Sequence, residues 1–157
     1  MPKPKRSAGV LLFRRTASGI EVLLAHPGGP FWKHKDEGAW SIPKGEYGDQ
    51  EDPLAAAKRE FAEETGVTPS GDFIPLGEVR QPGGKIVSVW AVEGDLDPRN
   101  LLSNTFSLPW PPNSGKWQEF PEIDRAEWFS LVTARRKILK GQTEILDRLL
   151  QNLPDAP

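Results

Sequence analysis

The first part of the chain carries its apolar residues in short runs, and the last part carries them in a helical stripe. Ala8 to Phe13 and Ile20 to Ala25 are apolar stretches separated by Arg14-Arg15-Thr16-Ala17-Ser18-Gly19, which predicts neighbouring antiparallel strands joined by a Gly-containing turn. Residues 26–38 then interrupt the pattern with Pro and Gly. This loop exceeds the usual length of a connection, and long loops in small domains often carry function. Trp40 to Ile42 reads as a very short strand stopped by Pro43. Asp52 is a good N-cap and Pro53 suits a first helical turn, so a helix is predicted from Pro53 through Thr65, ending at Gly66. Phe73 to Arg80 and Lys85 to Glu93 predict strands around the Gln-Pro-Gly-Gly turn at 81–84. Residues 94–122, rich in Pro and Asn, read as irregular, and Ala126 to Ser130 as a last strand. Ile145, Leu146, Leu149, Leu150 and Leu153 fall on one stripe of a closing helix. Strands, helix, strands and helix in that order predict a mixed α+β fold.

Composition narrows the class. A length of 157 residues suits one domain with one core, taken as 1–157. Lys plus Arg is 20 and Asp plus Glu is 22, so the net charge of −2 argues against an overall basic nucleic-acid binder. The absence of Cys excludes disulfides and thiolate metal sites, leaving carboxylates, carbonyls and the two His. Oxygen ligands of that kind select Mg²⁺, Mn²⁺ or Ca²⁺. No apolar stretch approaches the ~18 residues of a membrane span, and the run after the basic lead Met1 to Arg6 is too short for a signal peptide. A cytoplasmic protein with no membrane partner is expected.

The predicted helix concentrates the chemistry. Glu64 lies roughly 40° to one side of Glu60 and Glu63 roughly 60° to the other, with Glu51 just ahead of the helix. Like charges at i,i+4 repel, and a helix C-terminus disfavours anions, so an arrangement unfavourable twice over points to a compensating cation. The alternative is a solvated acidic face, the commonest fate of Glu on a helix. Arg59, four residues before Glu63, can hold that carboxylate, and Leu54 with Phe61 supplies a core contact beside the stripe.

Gly45-x5-Glu51-x7-Arg59-Glu60-Phe61-x-Glu63-Glu64-x-Gly66-Val67 resembles the signature of the Nudix hydrolases, GX5EX7REUXEEXGU, with U a bulky aliphatic residue. Every charged and glycine position matches, and the one departure is Phe61 at a U position. Trp40-Ser-Ile-Pro43-Lys44-Gly45 is similar to the W-x-x-P-K-G lead of several dinucleoside polyphosphate hydrolases of the family. Pro121-Glu122-Ile-Asp124-Arg-Ala-Glu-Trp128 resembles, more weakly, the segment where members place a further catalytic or metal-binding Glu, and Glu119 and Glu127 compete with Glu122 for that role.

The resemblance implies an α/β/α sandwich with a mixed sheet and the box at 45–67 as loop–helix–loop. It implies hydrolysis of a nucleoside diphosphate linked to another group, by water attack on phosphorus with Mg²⁺, or Mn²⁺ in its place, as cofactor. Glu60, Glu63 and Glu64 would be metal ligands, with a carbonyl near Lys44 or Gly45 as a candidate fourth donor. Glu60, Glu63 or Glu122 could serve as general base. Arg59 would orient the cluster, Glu51, Gly45 and Gly66 would shape the box, and Lys44 could reach phosphate or remain an ordinary surface cation. Phe31, Trp32 and Trp40 could stack on a base, since such platforms contribute roughly 1–3 kcal/mol each. Trp40 could equally be core, and Trp90 and Trp128 are expected there. Lys33, His34 and Lys35 have a plain solvated reading beside a phosphate-binding one, and Arg135-Arg136-Lys137 reads as a helix surface. The partner is then a small nucleotide, with the oligomeric state open. The alternatives are a Nudix-fold binding module without turnover and a hydrolase of RNA 5′ ends. The complete set of box carboxylates weighs against the first and the lack of a strong basic tract against the second.

Overall fold

The computed structural model describes residues 5–153, so the first four residues of the basic lead lie outside it. Strands β1 (Arg6–Thr16) and β2 (Gly19–Pro27) pair antiparallel, and both are longer than the apolar runs alone predict. Arg14 and Arg15 belong to β1 rather than to the turn, because the strand continues to Thr16 opposite Gly19. Arg14 is paired with Glu21 and Asp95 and lies over the Trp128 ring.

Next come β3 (Lys44–Glu46), α1 (Pro53–Thr65), β4 (Ile74–Arg80) and β5 (Ile86–Glu93). They are followed by β6 (Thr105–Pro109), β7 (Trp117–Pro121), β8 (Ile123–Ser130), α2 (Leu131–Lys137) and α3 (Thr143–Asn152). The main sheet runs β4-β5-β1-β2-β8, with β3 paired to β1. β1 and β5 are parallel and the other pairs antiparallel, so the sheet is mixed.

Both faces of the sheet are covered, which explains why β1 and β2 read as continuous rather than alternating apolar runs. Side chains of successive residues point to opposite faces. Ala8, Val10, Leu12 and Leu23 pack with Ala56, Ala57 and Phe61 of α1. Leu11, Phe13, Val22 and Leu24 pack with Ala134 of α2 and Ile145, Leu146 and Leu149 of α3. The result is the expected α/β/α sandwich.

Several expectations need correction. Leu54 is only half-buried, and the α1 core face is formed by Ala56, Ala57 and Phe61. Leu150 is exposed, because α3 turns Ile145, Leu146 and Leu149 inward. Residues 94–122 are not irregular throughout: Pro98–Asn100 forms a 3₁₀ turn, and β6 and β7 form a two-stranded ribbon with Phe106 opposite Phe120. Trp40 to Ile42 makes only isolated bridges, Ser41 to Ala25 and Trp40 to Ile138, and the strand proper begins after Pro43.

Candidate functional site

The acidic helix is fixed at both ends. Asp52 caps it by accepting a hydrogen bond from Ala55 N at 3.0 Å. Gly66 closes it in the left-handed conformation at φ 80°, its N–H donating to Ala62 O. The last carbonyls are met by a segment distant in sequence: Leu102 N donates to Thr65 O at 3.0 Å and Asn104 N to Glu63 O at 2.9 Å. Asn104 O in turn accepts from Glu122 N at 2.9 Å, and Ile123 N donates to Ser103 Oγ. The 102–104 segment thereby ties the end of α1 to the start of β8 and brings Glu122 to the acidic cluster.

Glu60, Glu63, Glu64 and Glu122 line one cleft together with Lys44, Gly45, Ser7, Lys85 and Asn104. Glu119 lies on β7 opposite Ser107 and Glu127 on β8 opposite Leu24, neither of them lining this cleft. Arg59 organises the near wall. Its Nε and Nη2 donate to the two oxygens of Glu51 at 2.8 and 3.0 Å, while Nη1 donates to Glu60 at 2.8 Å and reaches Glu63 at 3.2 Å. That fork holds the Glu51 carboxyl below its ordinary range. The Glu60 carboxylate lies against Gly45, where a Cβ would come within 2.0 Å of Oε2.

Glu64 is the most perturbed acid. Burial pushes its carboxyl up to about 8, against the opposing effect of the hydrogen bond it accepts from Lys44 N at 2.9 Å. Burial also raises Glu60 and Glu122. Lys44 is lowered, first by burial and then by the neighbouring positive charge of Lys85.

These features fit a hard divalent cation. The donors are all oxygens, the half-buried Glu64 carboxylate is desolvated at a cost that a cation would offset, and Ser7 Oγ on the same cleft is buried with no hydrogen-bond partner. Among the described residues no three acidic or imidazole groups are already gathered on one point, because Arg59 draws Glu60 and Glu63 toward itself.

A second cavity of about 490 Å³ adjoins the cleft and shares Lys44, Glu64 and Glu122 with it. Trp32 lines it, and the 26–38 loop that carries Trp32 is anchored by His26, which is fully buried between Asp124 (Nδ1 to Oδ1, 2.8 Å) and Lys35 O (Nε2, 2.7 Å). The other two aromatic candidates are corrected. Trp40 is 1% exposed, edge-on to His26 and Phe129, with Nε1 bonded to Asp36, so it is core and offers no face to a base. Phe31 is exposed against Trp110 and lies outside the cavity lining. Lys33, His34 and Lys35 are likewise exposed and outside it. Ser7, Lys85, Asn104 and Gln81 also line the two cavities, and nothing in the sequence marks them, since a lone Ser, Lys, Asn or Gln carries no spacing signal.

The NUDIX domain family model matches residues 3–149. None of the functionally curated proteins matches the chain in sequence. Among solved structures, the NUDIX domain of Shewanella oneidensis NrtR, complexed with ADP ribose, is 16% identical with a TM-score of 0.65, the match covering 96% of this chain and 89% of that one. A C. elegans Ap4A hydrolase binary complex is 23% identical with a TM-score of 0.58, covering 92% and 94%. A NUDIX hydrolase from Nitrosomonas europaea is 18% identical with a TM-score of 0.62, covering 94% and 88%. At these identities the likeness is one of fold. The chain belongs to the NUDIX family, and with the box intact it is a hydrolase acting on pyrophosphate bonds. Members of that class generally use divalent metal ions. Among the described residues no helix is long and apolar enough to cross a membrane.

Proposed function

We propose that the protein hydrolyses a pyrophosphate bond in a nucleoside diphosphate linked to a second moiety, an NTP or a dinucleoside polyphosphate, with Mg²⁺ as cofactor. The observation that carries this reading is the junction at Glu64. A half-buried carboxylate held by Lys44 N–H stands between an acidic cleft suited to metal and phosphate and an apolar cavity large enough for a base. Glu60, Glu63 and Glu64 would hold the metal, with the Lys44 or Gly45 carbonyl as a further donor. Bound there, Mg²⁺ supplies neutralisation of the polyphosphate charge and acidification of water.

The chain's own groups do the rest. Arg59 fixes Glu60 and Glu63 in place, Lys44 and Lys85 present positive charge to the phosphates, and Trp32 forms a wall of the base cavity. Glu122 approaches from the bend between β7 and β8, has no side-chain partner among the described residues, and has its carboxyl raised by burial, which supports it as the general base for the attacking water. The reading takes residues 1–157 as one domain working on small nucleotides in the cytoplasm.

A panel of nucleotides incubated with Mg²⁺ or Mn²⁺, with products resolved by chromatography, tests it. Anhydride cleavage that stops in excess chelator and in Glu64→Gln is the expected result. Full turnover in chelator, or wild-type turnover by Glu64→Gln, would overturn the metal assignment.

A further inference from the structure

The base cavity is apolar on most sides, and its polar lining outside the phosphate end is reduced to Ser41 and Gln81. Ser41 offers the cavity no donor: its hydroxyl donates to Ile42 O at 2.8 Å, and one of its two lone pairs accepts from Gln142 Nε2 at 2.9 Å. Gln142 is fully buried and can face only one way. Ile42 N–H, which can only donate, reaches Gln142 Oε1 at 3.1 Å, so the amide nitrogen of Gln142 must point to the opposite side. There its two hydrogens go to Ser41 Oγ and to Gln81 Oε1, the latter at 3.3 Å. Because two amide nitrogens cannot bond each other, Gln81 is obliged to turn its oxygen inward. Gln81 Nε2 is left with no partner among the described residues and is not sealed from solvent. The relay depends on close approach of the 3₁₀ turn Lys140–Gln142 to the β4–β5 turn, where a Cβ on Gly141 would lie 3.1 Å from Gln81 Cα.

We propose that this cavity is the base subsite of the enzyme and that Gln81 is its specificity-determining residue, held donor-outward by Gln142 so that the site prefers a 6-oxopurine to adenine. The proposal rests on the reading of the adjoining acidic cleft as the phosphate site. A free glutamine reads adenine with both ends of its amide, accepting from N6 and donating to N7. Gln81 has lost the accepting end to Gln142, so the adenine amino group would meet a second donor. A 6-oxopurine offers two adjacent acceptors, O6 and N7, to the two hydrogens of Gln81 Nε2. Trp32 contributes a contact that does not distinguish the two bases, since every base has a π-face.

The test uses the full chain and the 5′-monophosphates of inosine and adenosine, which differ at position 6 and in the proton on N1, with binding followed by calorimetry. IMP is expected to bind about tenfold more tightly than AMP, the size of one hydrogen bond gained against one donor left facing a donor. Gln81→Glu still accepts from Gln142 but presents an acceptor to the cavity, and the ranking should reverse. Gln81→Leu should bring the two affinities within about twofold. Equal or tighter binding of AMP by the wild type, no detectable binding of either nucleotide, or an unchanged ranking in Gln81→Glu would each overturn the assignment. The nucleotide panel separates this outcome from failure of the enzyme reading. Cleavage without the IMP preference removes the role of Gln81 alone, whereas the preference without cleavage keeps the base subsite and removes the proposed reaction.

Discussion

Gly45 and Glu60 occupy one shared volume: a methyl group on residue 45 would lie 2.0 Å from Glu60 Oε2 and 2.1 Å from Glu60 Cδ. Gly45 is therefore required for space and not for a left-handed backbone, as it is absent from the positive-φ glycines. The strand cannot retreat, because β3 is paired to β1 with Gly45 opposite Ala8. Gly45→Ala should displace the carboxylate and leave the fold in place. A misplacement of about 1 Å can cost on the order of 100-fold in rate. Turnover titrated against Mg²⁺, alongside a thermal melt, checks this: a large drop in activity with a melting temperature shifted by only a few degrees is expected. Unimpaired turnover would mean that Glu60 is not a working ligand.

Arg59 should behave as a positioning residue. Its guanidinium bridges Glu51 with two bonds and still reaches Glu60 and Glu63, a geometry that a lysine ammonium cannot reproduce. Loss of groups that orient metal ligands typically costs about 10–100-fold in metal affinity or activity. Arg59→Lys should fall in that range, and a metal titration should show the loss as a higher Mg²⁺ requirement. A variant that saturates at the wild-type Mg²⁺ concentration would leave Arg59 as a surface ion pair.

Glu64 gives the metal-free protein a pH signature. Its carboxyl titrates at about 8 in the folded chain, against an ordinary value of 4.5. The folded state binds the extra proton across that window, so stability falls as pH rises from about 4.5 to about 8 and the penalty is complete above it. Chelator-treated protein should therefore melt at a lower temperature at pH 8 than at pH 5.5, and Glu64→Gln should flatten that part of the profile. Mg²⁺ should raise the melting temperature more at pH 8 than at pH 5.5, since the ion competes with the proton. Equal slopes for wild type and Glu64→Gln would remove Glu64 as the source.

The parts of the fold legible in the sequence are those specified locally. Asp52, Pro53 and Gly66 delimit α1 by capping and left-handed termination, and the unbroken apolar runs of β1 and β2 report burial on both faces of a sheet. The acidic stripe was readable because helix geometry alone brings Glu60, Glu63 and Glu64 together. What was not readable depends on strands too short to show a pattern or on contacts across large separations. The β6–β7 ribbon is built from two five-residue strands ending in Pro109 and Pro121, so the alternation of Phe106 and Leu108 is too brief to announce it. Glu122 could not be chosen over Glu119 and Glu127 because the choice is made by Asn104, whose backbone links Glu63 O to Glu122 N–H. Trp40 shows the converse: its position before Pro43-Lys44-Gly45 points toward the site, while packing against His26 and Phe129 turns its ring into the core.

Trp32 and Trp40, eight residues apart on the same stretch of chain, should separate binding from stability. Trp40 is 1% exposed and packed on two rings, so Trp40→Ala removes a large core side chain, a change that typically costs about 3–5 kcal/mol, and should lower the melting temperature strongly. Trp32 is half-buried and packs partly on the core, but one of its surfaces lines the base cavity. Stacking on a base is made in both ground and transition states, so its loss raises KM more than it lowers kcat. At roughly 1–3 kcal/mol per stacked base, Trp32→Ala should raise KM about tenfold or more, with a smaller loss of melting temperature than Trp40→Ala causes. Because a π-face does not distinguish position 6 of a purine, the same variant should weaken IMP and AMP by similar factors and leave their ratio intact. An unchanged KM with a lowered melting temperature would make Trp32 a packing residue of the 26–38 loop, and a changed IMP to AMP ratio would show that it contacts more than the face of the base.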